Sequence, residues 1–547
     1  MTNDHSLKKN DTIELGIEGY SSEGSGVGHY NGQAVFVNGA AAGDTVECLI
    51  IKAKPNYAVG KLTHILKASK DRVQPDCPAF PRCGGCQYRH ISYEAELRLK
   101  YQKVTDALNR IGHIDVTPEP IVGAASPERY RNKAQYPVCM ANGRLSAGFY
   151  APFSHRVIDE KNCLLQPENF TAILKAAARW AEKYKIPTYD ENTGKGLLRH
   201  IYLRKGFATD ETMVCLVING EKIFQQEALL AALLQADRSI RTVLLNHNTE
   251  KTNVILGKRC TVLYGEGYIE DELCGKRFRI SPLSFYQINH DQAQRLYEQA
   301  AAFALSEPTK TLLDLYCGAG TIGLTMADRV ETLIGVEIVP EAIEDAKTNA
   351  ALNGVANAEF LCADAAQAAR ELRERGVTPD AVILDPPRKG CDETLPEIIA
   401  GMEPERIVYV SCDPATLARD CARFSALGYL VQQAVPFDLF PRTVHVETVV
   451  QLVRKTPDMY VDFKIDLDEQ DLTASEAHPT YEEIKTYIQK EYGVKVSSLY
   501  ISQVKRKLGL VVGNNFNKPK TENAKQPQCP PDKEKIIIEA LKHFKMI

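Results

Sequence analysis

The chain lacks any apolar run near the roughly 20 residues that span a bilayer. It also lacks an apolar core behind its charged start, MTNDHSLKKN, so no secretory signal is read there. A membrane-spanning or exported protein is not expected; a cytoplasmic one without membrane contact is. There is no surplus of positive charge either, since 66 Lys and Arg stand against 70 Asp and Glu, for a net charge of −4. Any nucleic-acid contact must therefore come from local basic patches. No long-range repeat is present. Cysteine, in contrast, is plentiful. Fifteen of them in a reducing compartment read as metal ligands, nucleophiles or buried apolar groups rather than disulfides.

At 547 residues there is room for three or four domains. Residues 1–67 carry closely spaced glycines and short alternating segments such as GQAVFVNG, which predict a small β-barrel of the OB-like kind. Residues 68–285 read as a central α+β domain, with an amphipathic helix over 92–112. Residues 286–455 alternate strand and helix patterns, which predicts a Rossmann-like, doubly wound α/β domain. Residues 456–547 form a small α-rich extension. It opens with an acidic stretch over 460–475. Two helices joined by Gly493 follow, with Ser497 or Ser498 as N-cap, then a polar stretch over 514–531 and a final helix. This extension has a possible helix-turn-helix character. Its run Lys505-Arg506-Lys507 reads as a solvated face before it reads as an RNA contact.

Cys77, Cys83 and Cys86 lie in a turn-rich segment, about 76–90, with too few apolar residues for a core of its own. Cys163 is a candidate fourth ligand. Four thiolates suit tetrahedral zinc or an iron–sulfur cluster, and the spacing does not choose between them. Gly84 and Gly85 let the backbone wrap a bulky ligand closely.

Three predicted strand ends carry the chemistry. DLYCGAGTIGL places Asp314 before a glycine-rich turn. NAD enzymes share such turns, but Asp314 would repel a pyrophosphate and suits the sulfonium and amino-acid part of S-adenosylmethionine. Glu337 ends the next strand, where an acid binds both ribose hydroxyls. Asp364 follows a third strand, facing an adenine amino group. Downstream, VYVSCDPATLARD sets Cys412 after an apolar run and before a helix, whose N-terminus is expected to favour the thiolate. Glu447, on a following strand, is a candidate base, and His445, two residues earlier on the same face, reads as structural. Such a pair suits uracil, whose carbon 5 is a poor nucleophile. A thiolate added at carbon 6 makes carbon 5 nucleophilic, and a base later removes the carbon 5 proton. An enzyme acting on one base must also extrude it. Tyr130, Tyr136 and Tyr202, near Arg and Lys residues, are candidates to stack bases.

The segment from Glu18 to Ile50 resembles a TRAM domain, an RNA-binding barrel. DLYCGAGTIGL, ILDPPRKG, VYVSCDPATLARD and RTVHVETVVQL resemble the signature segments of the RNA uracil-5-methyltransferase family. With SPLSFYQIN, the cysteine cluster and the barrel, they resemble its 23S rRNA branch over about residues 10–455. That resemblance implies Cys412 as nucleophile and Glu447 as proton acceptor. It implies Gln287, Tyr316, Glu337 and Asp385 around S-adenosylmethionine, with Asp364 also carried over. It implies Cys77, Cys83, Cys86 and Cys163 around a 4Fe-4S cluster that organises structure and RNA contact. Thr321 departs from the asparagine of some relatives and is left out. The partner implied is 23S rRNA, with no obligatory protein partner.

The alternatives are a tRNA uridine-5-methyltransferase, an RNA cytosine-5-methyltransferase and a non-enzymatic RNA-binding iron–sulfur assembly factor. The cytosine class carries a second cysteine where Asp385-Pro386-Pro387-Arg388 stands here. The assembly factor would have lost the Cys412 and Glu447 pair.

Overall fold

Short segments of alternating apolar residues build the first layer. The computed structural model describes residues 7–455, 481–508, 529–544 and 546. Its first six strands are β1 (Thr12–Gly16), β2 (Gly19–Tyr20), β3 (Gly26–Tyr30), β4 (Gln33–Asn38), β5 (Thr45–Ala53) and β6 (Tyr57–Lys67). They form one curled sheet in the order β1-β5-β6-β4-β3-β2 around Ile13, Leu15, Val35, Val37, Val46 and Ile50. Gly28 is required where β3 crosses β1, because a Cβ there would lie 2.1 Å from the Gly16 carbonyl oxygen.

Helix α1 (Tyr93–Arg110) starts at Ser92, whose hydroxyl accepts the Ala95 N–H, and carries Glu94 and Glu96 in its first turn. Its apolar face, Val104, Ala107 and Leu108, packs into the core of the last sheet of this unit rather than onto the sheet that follows it in sequence. A buried ionic group fastens it there. Lys100 Nζ donates to Glu96 and to Asp438, both at 2.7 Å, and to the Phe440 carbonyl at 3.1 Å. Tyr93 Oη donates to the other Asp438 oxygen at 2.8 Å, and the Arg442 N–H donates to Glu96 at 2.7 Å. Removing one partner of such a buried set costs about 3–5 kcal/mol, because a charge is left alone in a dry interior. The group therefore holds the segment from Asp438 to Val446, which leads straight into Glu447.

A second sheet comprises β7 (Lys133–Ala141), β8 (Arg144–Tyr150), β9 (Val157–Asp159), β10 (Leu198–Lys205), β11 (Thr212–Ile218), β12 (Ile240–His247) and β13 (Arg259–Tyr264). Its order is β13-β12-β11-β10-β7-β8-β9. Helices α2 (Glu168–Lys183) and α3 (Gln226–Ala236) contribute to its core. A hairpin, β14 (Ile269–Leu273) and β15 (Lys276–Ile280), leads to the last layer.

That layer begins with α4 (His290–Ala304), then β16 (Thr311–Leu315), α5 (Thr321–Met326), β17 (Thr332–Glu337), α6 (Pro340–Leu352) and β18 (Ala358–Cys362). It continues with α7 (Ala365–Glu374), β19 (Ala381–Leu384), α8 (Leu395–Ala400), β20 (Arg406–Ser411), α9 (Pro414–Ala426), β21 (Tyr429–Phe437) and β22 (Glu447–Arg454). The sheet order is β18-β17-β16-β19-β20-β22-β21, with β16 to β20 parallel and β22 antiparallel to both neighbours. Both faces are covered by apolar residues, as a parallel sheet requires. The order reverses at β16, so the crevice beyond the carboxyl ends of these strands is the natural ligand site.

The chain divides into two units, Met1–Thr456 and Pro457–Ile547. In the second, α10 (Tyr481–Tyr492), α11 (Ser498–Lys507) and α12 (Pro531–His543) enclose Ile484, Ile488, Ile501, Val504, Ile537 and Leu541. Ser497 caps α11, its hydroxyl accepting the Tyr500 N–H at 3.3 Å. The acidic stretch 460–475 and most of 514–531 lie outside the described residues. No described helix is long and apolar enough to cross a membrane.

Candidate active site

Strand β20 ends at Ser411, which pairs with Thr448 of β22. One further step in that register sets Cys412 against Glu447, so two residues 35 positions apart meet because their strands are antiparallel neighbours. Asp385 follows β19, the strand beside β20. Asp385 and Glu447 lie close enough to perturb the ionisation of Cys412, and Asp385 that of Glu447. Burial and the Asp385 carboxyl raise Glu447 well above the usual carboxylate range, although Arg388 opposes this. Burial pushes Asp385 up to about 7. The site is therefore a dry group of carboxyls beside a thiol.

The thiol itself departs from expectation. Burial pushes Cys412 up to about 11, and the Glu447 and Asp385 carboxyls add to the rise, while Arg388 opposes it. The helix N-terminus does not win. Asp413 caps α9 with its own carboxylate, accepting the Ala415 and Thr416 N–H groups at 2.9 and 3.1 Å, and so places a negative charge at the end that was expected to favour the thiolate.

Cys412, Arg388, His445, Lys103, Ser21 and Ser22 line one cavity of ≈ 730 Å³ between the first sheet, α1 and the last sheet. His445 precedes β22 rather than lying on it, so the expected face alternation does not apply, and it borders the cavity instead of the core. Its Nε2 stands 3.5 Å from an Arg388 amino group, and burial with this cation lowers it to about 4. The ring is thus neutral at physiological pH. Sequence reasoning used Arg388 only to separate rival methyltransferase classes, not as a site residue, and passed over Lys103. The signal for Arg388 was its place directly after the strand-end Asp385-Pro386-Pro387; Lys103 had none beyond its helix.

The glycine-rich turn is held from inside. Asp314 Oδ2 accepts the Gly323 N–H at 2.9 Å, and a Cβ on Gly323 would crowd that oxygen at 2.8 Å. Asp314 is 1 % exposed, and burial pushes it up to about 7. Its Oδ1 is buried without a partner. One oxygen therefore serves the turn, and the other is an unmet acceptor beside it. Tyr316 follows β16 with φ +67°, a strained conformation for a bulky residue.

Glu337 ends β17 and accepts N–H groups from Gly318, Ile338 and Val339 at 3.2, 2.8 and 3.0 Å. Ile338 and Val339 beside it are exposed, an apolar surface the sequence did not single out. Asp364 caps α7 through Oδ1, accepting the Ala366 and Gln367 N–H groups. Gln287 is buried ahead of α4, and its carbonyl accepts Asn132 Nδ2 at 2.7 Å. An acid at a strand end, an apolar face beside it and an unmet buried acceptor fit the ribose, base and cationic parts of S-adenosylmethionine.

Cys77, Cys83, Cys86 and Cys163 line a single cavity of ≈ 250 Å³ with Arg89 and Arg131. Burial pushes Cys83 up to about 11 and Cys163 up to about 12, and Cys86 rises also. Arg89 is buried and held by Asp76 at 2.5 Å and Glu128 at 2.8 Å. Among the described residues no three His, Cys, Asp or Glu side chains are disposed to hold a metal ion. The four cysteines nevertheless share a cavity.

The basic-aromatic segments of the central sheet are a correction. Tyr130, Tyr136 and Tyr202 are 5 %, 0 % and 0 % exposed, so none of them presents a face to RNA. Tyr130 Oη donates to the Pro441 carbonyl at 2.9 Å, and Arg204 is spent on the Ser281 and Ser284 carbonyls. These side chains pack between layers, where strand burial outweighs their amphipathic character.

The tRNA (Uracil-5-)-methyltransferase family model matches residues 92–455, and the TRAM domain model matches residues 7–63. An uncharacterized RNA methyltransferase of Clostridium tetani is 45 % identical over 450 residues, covering 82 % of this chain and 98 % of that protein. An uncharacterized RNA methyltransferase of Halalkalibacterium halodurans is 43 % identical with the same coverage. The chain is also similar to the crystal structure of Pyrococcus abyssi tRNA (uracil-54, C5)-methyltransferase in complex with S-adenosyl-L-homocysteine. That match has a TM-score of 0.67 and 26 % identity, over 81 % of this chain and all of the other.

Proposed function

This chain belongs to the RNA (uracil-5-)-methyltransferases, and from that premise we propose that it methylates carbon 5 of a uridine in 23S rRNA through a Cys412 adduct at carbon 6. The observation that carries the reading is the meeting of Cys412, Glu447, Asp385 and Arg388 at one edge of the sheet.

S-Adenosylmethionine, when bound beside Glu337, Tyr316, Gln287, Asp385 and Asp364, supplies an electrophilic methyl group. The chain's own residues do the rest. The thiol proton of Cys412 passes to Asp385, whose carboxyl, held at about 7, is part ionised at neutral pH. Sulfur bonds to carbon 6, and the carbon 5–carbon 6 electron pair moves toward oxygen 4. Arg388, facing Cys412 and Glu447, offsets the negative charge. Carbon 5 bonds to the methyl group as the methyl–sulfur bond breaks, its electron pair staying on the donor sulfur as a neutral thioether. Glu447 then removes the carbon 5 proton, the double bond re-forms, and the Cys412 thiolate leaves. An RNA-modifying role also supports work in the cytoplasm.

The rRNA substrate is supported by the TRAM match beside the cysteine segment. A tRNA substrate is the second reading, because the Pyrococcus abyssi relative acts on uracil 54 of tRNA. Nucleoside mass spectrometry with position mapping separates them. Unmethylated 23S rRNA and tRNA are each treated with protein and S-adenosylmethionine. 5-Methyluridine in 23S rRNA alone is expected; its appearance in tRNA alone transfers the proposal, and 5-methylcytidine rejects it.

For the four cysteines we propose a 4Fe-4S cluster rather than zinc. Sulfurs on a single zinc, bound at about 2.3 Å each, must converge on one point. The cavity of ≈ 250 Å³ that the four cysteines line has room for a bulkier group than one ion. Arg89 and Arg131 would offset the thiolate charge, and the Gly85 N–H already reaches Cys83 Sγ at 3.4 Å. Iron and acid-labile sulfide are expected in anaerobically purified protein, and Cys163→Ser is expected to lose most of both. Stoichiometric zinc without sulfide would reject the cluster.

A further inference from the structure

Among the described residues, Phe153 is the most exposed large apolar side chain, at 97 %. It lies on the turn between β8 and β9 with φ +55°, a costly conformation for a bulky residue. The turn is ordered. Ala151 N–H donates to the Arg156 carbonyl at 2.9 Å, and Arg156 N–H donates to Ser154 Oγ at 3.0 Å. The cysteine segment supports it from beneath, where Gly84 N–H donates to the Tyr150 carbonyl at 2.9 Å. An aromatic ring thus stands in solvent on a braced, strained turn, and nothing in the fold gains from its exposure.

The ring borders a second cavity, of ≈ 720 Å³, together with Phe36, Phe80, Val444 and His445. Ser21, Ser22, Val444 and His445 line this cavity and the Cys412 cavity alike, so the two adjoin. Lys103, Arg110 and Arg388 line the Cys412 end against Asp106, which pairs with Arg110, and Asp413, and leave it net positive. A groove that leaves the reaction centre with cations at one end and aromatic faces at the other has the character of a single-strand nucleic-acid path. Extruding a base for chemistry leaves its neighbours unstacked, and these need a new face.

We propose that Phe153 stacks on an unpaired base flanking the target uridine, with the strand passing from Cys412 by His445 and Ser22 to the turn at Phe153. The assignment rests on the RNA-methylation reading, and it replaces the buried tyrosines as the stacking surface.

The test uses the full-length protein and a labelled, short single-stranded oligouridylate at fixed salt, read by fluorescence anisotropy. Phe153→Ala is expected to weaken binding about 5- to 100-fold, with Phe153→Tyr restoring most of it. In the methylation assay the rise in KM for RNA is expected to exceed any fall in kcat. Phe224→Ala, at an exposed aromatic outside the groove, serves as the control. Phe153→Trp gives a direct reading, since the chain's one tryptophan, Trp180, is buried, and stacking would quench the added indole on RNA binding. Equal binding by wild type and Phe153→Ala, or no quenching in Phe153→Trp, overturns the inference while leaving methylation intact. RNA binding that depends on Phe153 without any 5-methyluridine formation would instead overturn the functional reading alone.

Discussion

Cys412→Ala is expected to lower 5-methyluridine formation by at least about 10³-fold, because the reaction then has no way to make carbon 5 nucleophilic. The fold should tolerate the change. Cys412 lies just past the end of β20 and is only half-buried, whereas the turn after it is held by Ser411 Oγ and the Asp413 cap. S-Adenosylmethionine affinity should be retained, since Glu337, Tyr316 and the glycine-rich turn are untouched. Nucleoside mass spectrometry on wild type and variant, with a thermal unfolding curve for each, checks both statements. Methylation within tenfold of wild type by a folded variant would remove the covalent step from the mechanism.

Glu447→Gln should fail at the opposite end of the cycle. Sulfur still adds and carbon 5 still takes the methyl group, but nothing accepts the carbon 5 proton. Turnover is expected to fall about 10²- to 10⁴-fold, and a methylated RNA–protein adduct that survives denaturation should accumulate. Cys412→Ala should show none. The same substitution removes a negative neighbour from Cys412, so the thiol should titrate below its present value of about 11, and alkylation below that pH should speed up. In the wild type Glu447 must ionise before it can act. As burial raises it well above the usual carboxylate range, turnover should still rise with pH where an ordinary carboxylate is already fully ionised. Normal turnover by Glu447→Gln without adduct would reject Glu447 as the base.

Helix α1 and the strand β20 were legible from local pattern. An apolar period with Ser92 ahead of it, and an unbroken apolar run from Ile407 to Val410, are properties of neighbours in sequence. Cys412 and Glu447 were paired in the sequence by their chemistry and by resemblance, but the β20–β22 register that unites them is not a local property. The tyrosines show the opposite failure. Tyr130, Tyr136 and Tyr202 have the composition of an RNA-binding surface, but which side of a strand faces water depends on the layer packed against it. Phe153 was overlooked for the same reason, since a turn residue carries no periodicity to mark it as exposed.

By itself the sequence determined the fold class of each segment, the chemistry available at the strand ends and the clustering of three cysteines within ten residues. These follow from local periodicity, from residue type and from short spacings. Only the tertiary structure decided the protonation of the site, because desolvation depends on every layer around a group. It turned the expected thiolate into a neutral thiol and left Glu447 and Asp385 with weakened acidity. It also decided that α1 locks the segment before Glu447 through Lys100 and Asp438, residues 338 positions apart whose charges meet only when the chain is folded around them.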